Sequence, residues 1–598
     1  MIIIGRRLVL LPILWYNHYN KIICKDEKMK KSNFVQLPTD FEKDLSDLPF
    51  SEYPRPQLRR DSYLCLNGKW SFKIESNGNT SYDGEILVPF VPESRLSGVM
   101  REIGKDDVMI YERTFVLDDS FSSGRALLHF GACDQYARVF VNGKEIGTNV
   151  GGYLSFTFDI TDVSTLGENT LRVEARDPLC LDLPYGKQRE KRGGMWYTKT
   201  SGIWQTVWIE RVPENYIRAI KLHTDTRGVL IEVDGGEREK ALTLGAQTYT
   251  FEGESFRIDI DSPHLWTPDD PYLYSFDLTS GEDRISSYFG LRTVSIEERG
   301  NRAYICLNGE PIFCHGLLDQ GYFSDGIFLP ASPRGFEEDI LKMKACGFNM
   351  LRKHIKLEPD LFYYFCDKHG MLVFQDMINS GHYSFFVDTA LPTVFLKKGV
   401  SHRASKARRE AFESTCQGII ESLHDHPSVI YYTIFNEGWG QFDAQYFYKK
   451  LKALDPSRVY DTTSGWFKVK ESDVESDHVY FKPIKLKAVK GKPTVLSEFG
   501  GYVYKVKDHS FNPDNTYGYK LFDGVASFEA ATVALYENQV MPAIEDGLCA
   551  TVLTQVSDVE DETNGLLTYD RKILKVSQSQ MKALADKLYE KFDERVKK

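Results

Sequence analysis

A chain of 598 residues is too long for one hydrophobic core, so about two to four domains are expected. Hydrophobic residues at 42% and charged residues at 27% are ordinary for a soluble globular protein. The net charge of −11 argues against nucleic acid as partner, because phosphates need a basic footprint. Aromatics at 13% favour β-rich domains and surfaces that stack on ring-shaped ligands.

The chain opens on "MIIIGRRLVLLPILWYNHY", two arginines before an apolar run. No small-residue cleavage site follows, and the run is too short to span a membrane, so no membrane partner is expected. Residues 1–48 read as a poorly ordered extension or as a weak secretion signal. The ten cysteines stand singly, with no CxxC pair and no His/Cys cluster. Reduced thiols suit a cytoplasmic protein; the leader keeps secretion as the alternative.

Residues 49–213 alternate short strands with turns. "ARVFVNGKEIG" is a hairpin signal, with Asn142-Gly143 between β-branched residues. "SFTFDIT", "NTLRVEA" and "GIWQTVWIE" read as further strands, and the whole as a jelly-roll β-sandwich. Residues 214–298, with "IRAIKLHT", "GVLIEV", "LYSFDLTS" and "ISSYFGLRTVSIEE", suit an immunoglobulin-like β-sandwich. From 299 to 598 the rhythm changes. Eight apolar runs alternate with helical stretches at 333–346, 358–369, 402–424, 442–454 and 577–592. Buried parallel strands read this way, and the order and length are those of a (β/α)8 TIM barrel.

Barrel enzymes carry their reactive groups at the C-terminal ends of the strands. "YYTIFNEGWGQFD" ends the fourth run with Asn436 and Glu437, and "KPTVLSEFGGY" ends the seventh with Glu498. Alone, Glu437 could merely support the first turn of the next helix. As a pair, two carboxyls across a barrel mouth are what glycoside hydrolysis needs. One protonates the leaving oxygen; the other attacks the anomeric carbon, or activates water when the two stand farther apart. Arg352 is either the cation beside the nucleophile or a rim salt bridge. Trp466 and Trp439 are either sugar platforms or packing. Tyr480 could hydrogen-bond the nucleophile, and His354, Asp376 and Asp319 could bind hydroxyls. "HDHPS" (His424, Asp425, His426) reads as a helix-end cap, and "SHRASKARRE" as a solvated helix start. No HExxH, GxSxG, Walker-type or GxGxxG element stands in the required context, so no metal and no cofactor are expected.

Taken in order, these motifs resemble glycoside hydrolase family 2, the β-galactosidase and β-glucuronidase family. "NGKWSF", "GACDQYARVFVNGKEIG" and "SGIWQTVWIE" are similar to its jelly roll; "SPHLWTPDDPYLY" and "YFGLRTVSI" to its immunoglobulin-like domain; "NEGWG" and "LSEFGG" to its barrel. The resemblance implies Glu437 as acid/base, Glu498 as nucleophile and Asn436 as a ligand of the sugar 2-hydroxyl. It also implies retention of configuration, with carboxyls about 5–5.5 Å apart. The expected partner is a carbohydrate, a terminal β-linked sugar, with a homo-oligomer possible. The family's glucuronidases carry Asn-x-Lys after the eighth strand, where this chain has Glu562, Thr563 and Asn564. A glutamate would repel a uronate, which favours a neutral sugar and a β-galactosidase. Its galactosidases carry an Asp before "MW", and Gly194 stands there instead. The alternatives are another specificity (mannoside, glucuronide) or a catalytically silent carbohydrate-binding protein.

Overall fold

The computed structural model describes residues 35–384, 388 and 402–598; the leader at 1–34 lies outside the described residues. Two sheets form the first sandwich, one of six strands and one of four. They enclose Trp70, Phe72, Tyr111, Leu128 and Val173. Tyr136–Val141 and Lys144–Val150 make the expected hairpin. Its turn residues, Asn142 and Gly143, both have positive φ (50° and 79°), as a two-residue connection requires. "GIWQTVWIE" is two pieces rather than one strand: Gly202–Ile203 and Val207–Val212.

The second sandwich packs a three-stranded sheet on a four-stranded one around Val229, Ile231, Leu242, Leu278 and Ile285. Its expected end at residue 298 cuts a hairpin. Val294–Arg299 pairs with Arg302–Leu307, so this ladder bridges the sandwich and the barrel.

The barrel strands are Cys314–Asp319, Met350–Lys353, Leu372–Asp376, Val429–Asn436, Val459–Ser464, Glu475–Val479, Thr494–Gly500 and Leu548–Thr554. All residues of the fourth, fifth, seventh and eighth are buried, which is why the fourth and eighth read as apolar runs, whereas the fifth, "VYDTTS", is buried yet largely polar. Parallel ladders join the strands from the fifth back to the first, then to the eighth, seventh and sixth. Between the fifth and sixth there is no ladder among the described residues. There the Thr462 hydroxyl donates to the Glu471 carbonyl (2.6 Å), and the Tyr460 amide donates to Asp473 (2.9 Å). Helical turns over Val525–Glu545, absent from the sequence reading, precede the eighth strand. Their apolar residues lie on every side, so no stripe betrayed a helix. No helix among the described residues is long and apolar enough to cross a membrane.

The expected loose extension over 1–48 is corrected from Val35 onward. Thr39 donates to Asp325 from its amide (3.0 Å) and hydroxyl (2.5 Å), and Gln36 donates to the Glu93 carbonyl (2.7 Å). Phe41 is buried in the barrel core. This strap ties the jelly roll to the barrel. It went unseen because one buried aromatic in a short segment makes no periodic pattern.

A second tie reaches the barrel mouth. In the jelly-roll segment 185–198, the Tyr185 hydroxyl donates to the Gly381 carbonyl (2.6 Å), and the Thr198 amide donates to Glu560 (2.9 Å). The Tyr197 hydroxyl donates to Glu562 (2.6 Å).

Candidate active site

The fourth strand ends where its apolar run does, and the chain then turns sharply. Glu437 has φ 54°, a left-handed conformation that costs a side-chain-bearing residue about 1–3 kcal/mol. Gly438 follows at φ 75°, and a Cβ there would lie 2.1 Å from the Phe467 ring. Only glycine lets the turn pass under that ring. Arg408 braces the turn from the helix before this strand, Lys406–Leu423, by donating to the Ser380 and Gly440 carbonyls (2.8 and 2.5 Å). The basic run is therefore not all solvated: Arg408 is buried.

Arg352, from the second strand, is the hub. Its Nε donates to Asp376 (2.9 Å), Nη1 to Glu498 Oε1 (3.0 Å) and the Ser497 carbonyl (2.9 Å), and Nη2 to Asn436 Oδ1 (2.8 Å). Burial opposes its charge, and Asp376 and Glu498 more than offset that. Because a guanidinium only donates, Asn436 must present Oδ1 to it, leaving the Nδ2 hydrogens for a ligand. The Tyr480 hydroxyl donates to Glu498 Oε2 (2.5 Å), and burial keeps that phenol protonated. His354 faces Asp376 across 2.6 Å; burial depresses the imidazole to about 4 despite the carboxylate, so it is neutral.

Glu437 and Glu498 approach to within 4.8 Å, oxygen to oxygen, with His478 Nδ1 between them. That nitrogen lies 2.7 Å from Glu437 Oε1 and 3.5 Å from Glu498 Oε2. Burial raises the Glu437 carboxyl, against the pull of Lys187, His354 and Arg352. A carboxyl raised in this way is better suited to act as an acid. The trio could also converge on a metal ion. However, the Arg352 cation, 3.0 Å from Glu498, already supplies the positive charge a metal would bring.

The structure thus gathers Asn436, Glu437, Glu498, Arg352, His354, Asp376 and Tyr480. The half-buried Trp466 ring lies 6.1 Å from the His478 ring. Three expectations change. Asp376 gives both oxygens to Arg352 and His354, so it organises the site rather than binding hydroxyls. Asp319 is held by Lys353 (2.7 Å) and the Gly321 amide (2.9 Å). Trp439 is 4% exposed and packs edge-on against Trp196, which leaves no open face for a sugar. In "HDHPS", His426 pairs with Asp367 (2.6 Å), a structural contact. Sequence reasoning missed His478, although strand alternation places it on the same face as Tyr480.

Three family models match in order. Glycosyl hydrolase 2 galactose-binding domain-like covers 84–224, glycosyl hydrolases family 2 covers 219–292, and its TIM barrel domain covers 305–500. A β-galactosidase of Thermoanaerobacter pseudethanolicus is 25% identical over 67% of this chain and 54% of its own length, so the chain spans about half of that relative. A β-glucuronidase of Paenibacillus borealis is 25% identical over 68% of this chain and 73% of its own. Among solved structures, a β-glucuronidase from an uncultured Clostridium species superposes with TM-score 0.70 at 19% identity, covering 89% of this chain and 99% of that one. With three family models in the order of its three domains, the chain belongs to glycosyl hydrolase family 2.

Proposed function

We propose that the protein is a retaining, exo-acting β-glycosidase, with Glu437 as acid/base and Glu498 as nucleophile, and that its substrate is a neutral sugar, a β-galactoside first. The carrying observation is that an oxygen of each carboxyl lies within 4.8 Å of the other. That spacing suits direct attack on the anomeric carbon, whereas inversion needs roughly 6.5 Å or more to seat a water. Glu437 gives its proton to the glycosidic oxygen as a Glu498 oxygen bonds the anomeric carbon. Glu437 then takes a proton from the water that cleaves the ester. Asn436, fixed by Arg352, offers Nδ2 to a sugar hydroxyl. The segment crossing the mouth suits a cleft closed beyond a terminal sugar.

The neutral sugar rests on Glu562, a buried carboxyl accepting from Tyr197 (2.6 Å) and Gln555 (3.1 Å). An ionised carboxylate there repels a uronate. The second reading is a β-uronidase. Burial raises Glu562 toward its neutral form, and half-buried Lys187, 5.5 Å from the Trp196 ring, brings positive charge to this end of the cleft. Hydrolysis of nitrophenyl β-galactoside, β-glucuronide, β-mannoside and β-glucoside, measured side by side, separates the two. Galactoside should be fastest, and a faster glucuronide overturns the neutral reading. The first sugar released should be the β-anomer by NMR; the α-anomer would mean inversion.

A further inference from the structure

We propose that His478 is a positioning residue for the acid/base: a neutral imidazole that carries its hydrogen on Nδ1, donates it to Glu437 Oε1, and so leaves the acid proton on Glu437 Oε2. The inference rests on the reading of Glu437 as the acid/base.

The tautomer follows from what surrounds the ring. His478 Nε2 lies 3.4 Å from Arg352 Nη1 and 3.1 Å from the Ser464 hydroxyl. Both Nη1 hydrogens are already given to Ser497 and Glu498. A hydrogen on Nε2 would point at a cation, whereas a lone pair there is attracted to it and accepts from Ser464. The hydrogen therefore sits on Nδ1, with Glu437 Oε1 at 2.7 Å and Glu498 Oε2 at 3.5 Å. Burial depresses the imidazole to about 3, so it stays neutral over the working range. The ring is seated by its neighbours. At Gly465, φ 86°, a Cβ would come within 2.3 Å of it.

A donor on Oε1 has two consequences. Glu437 cannot lose its acid proton to the imidazole, whose Nδ1 is already protonated. And the carboxylate left after proton transfer keeps a hydrogen bond that favours the ionised form. The other titratable or charged groups around Glu437 are Arg352 of the second strand and His354 just after it, Glu498 of the seventh, Tyr480, Lys187 of the jelly-roll segment and Tyr519. Among the described residues, His478 is the one whose side chain stands at hydrogen-bond distance from the Glu437 carboxyl.

The test compares His478→Phe with His478→Asn, whose amide nitrogen can stand where Nδ1 stood. In kcat/KM against pH, losing the donor should move the alkaline limb up by about one unit in the Phe variant, the worth of one hydrogen bond to a charged group. The Asn variant should keep the wild-type limb. A Phe limb that stays in place, or an Asn limb that moves with it, overturns the proposal. A readout independent of turnover is the ¹⁵N spectrum of the histidine-labelled wild type, with the His478 signals assigned by their loss in the Phe variant. Nδ1 should be protonated and Nε2 bare; the reverse overturns the proposal. A wild type inert on every glycoside, yet with protonated Nδ1, would instead sink the proposed function and leave the tautomer standing.

Discussion

Arg352 reaches Asp376, Glu498, Asn436 and a backbone carbonyl with one guanidinium. Removing it strands two buried carboxyls without their cation, a loss of about 3–5 kcal/mol. Arg352→Ala should therefore express poorly or melt much earlier. Arg352→Lys keeps the charge but cannot span Asp376 and Asn436 together. It should melt near the wild type while kcat/KM falls at least ~100-fold, the scale of a misplaced group. Comparable activity in the lysine variant would return Arg352 to a plain salt bridge. For the carboxyl pair, Glu498→Ala should abolish turnover. Glu437→Ala should slow poor leaving groups far more than activated phenolates, since the latter need little acid help. Equal losses on both would refute the acid assignment.

At the scale of elements, the strap after Val35 and the segment 185–198 both help join the jelly roll to the barrel, beside direct bonds such as the Leu96 amide to the Asp325 carbonyl (3.1 Å). Phe41→Ala should cost about 3–5 kcal/mol, as for other buried phenylalanines. Deleting residues 1–48 should lower the melting temperature clearly below that of a 1–34 deletion; equal melting would show the strap adds nothing. The barrel strands were legible because burial on both sides leaves uninterrupted apolar runs such as "VIYYTIF". The carboxyl pair was legible because each glutamate breaks such a run. The partners were less so. His478 sits in "SDHVYF", where a histidine beside an aspartate looks like any polar strand end. Asp319 and Asp376 end the strands on either side of the second, yet only folded distances show that one serves Lys353 and the other Arg352. Arg408 was lost in a basic run whose other members gave no reason to single it out.

Across the whole molecule, the jelly roll hides an acid whose titration couples folding to pH. Glu93 is 4% exposed, accepts from the Ser201 amide (3.2 Å), and is raised from 4.5 to about 8 by burial, with Ser201 and Lys199 pulling it back. The folded state thus keeps a proton that the unfolded chain releases near 4.5. Its contribution is complete below pH 4.5 and is lost as pH rises through about 8. Glu93→Gln, neutral throughout, should make the fall in melting temperature over that window shallower; an unchanged slope would place the titration elsewhere. The barrel has its own asymmetry. Among the described residues, ladders join all its adjacent strands except the fifth and sixth, where Tyr460 is hydrogen-bonded to Asp473 in the intervening loop and Ser464 meets His478 across 3.1 Å. Glu437 ends the fourth strand, on one side of the gap, and Glu498 stands on the seventh, on the other. The gap therefore falls between the two carboxyls, and His478 of the sixth strand, 2.7 Å from Glu437 and 3.1 Å from Ser464 of the fifth, is the side chain that spans it.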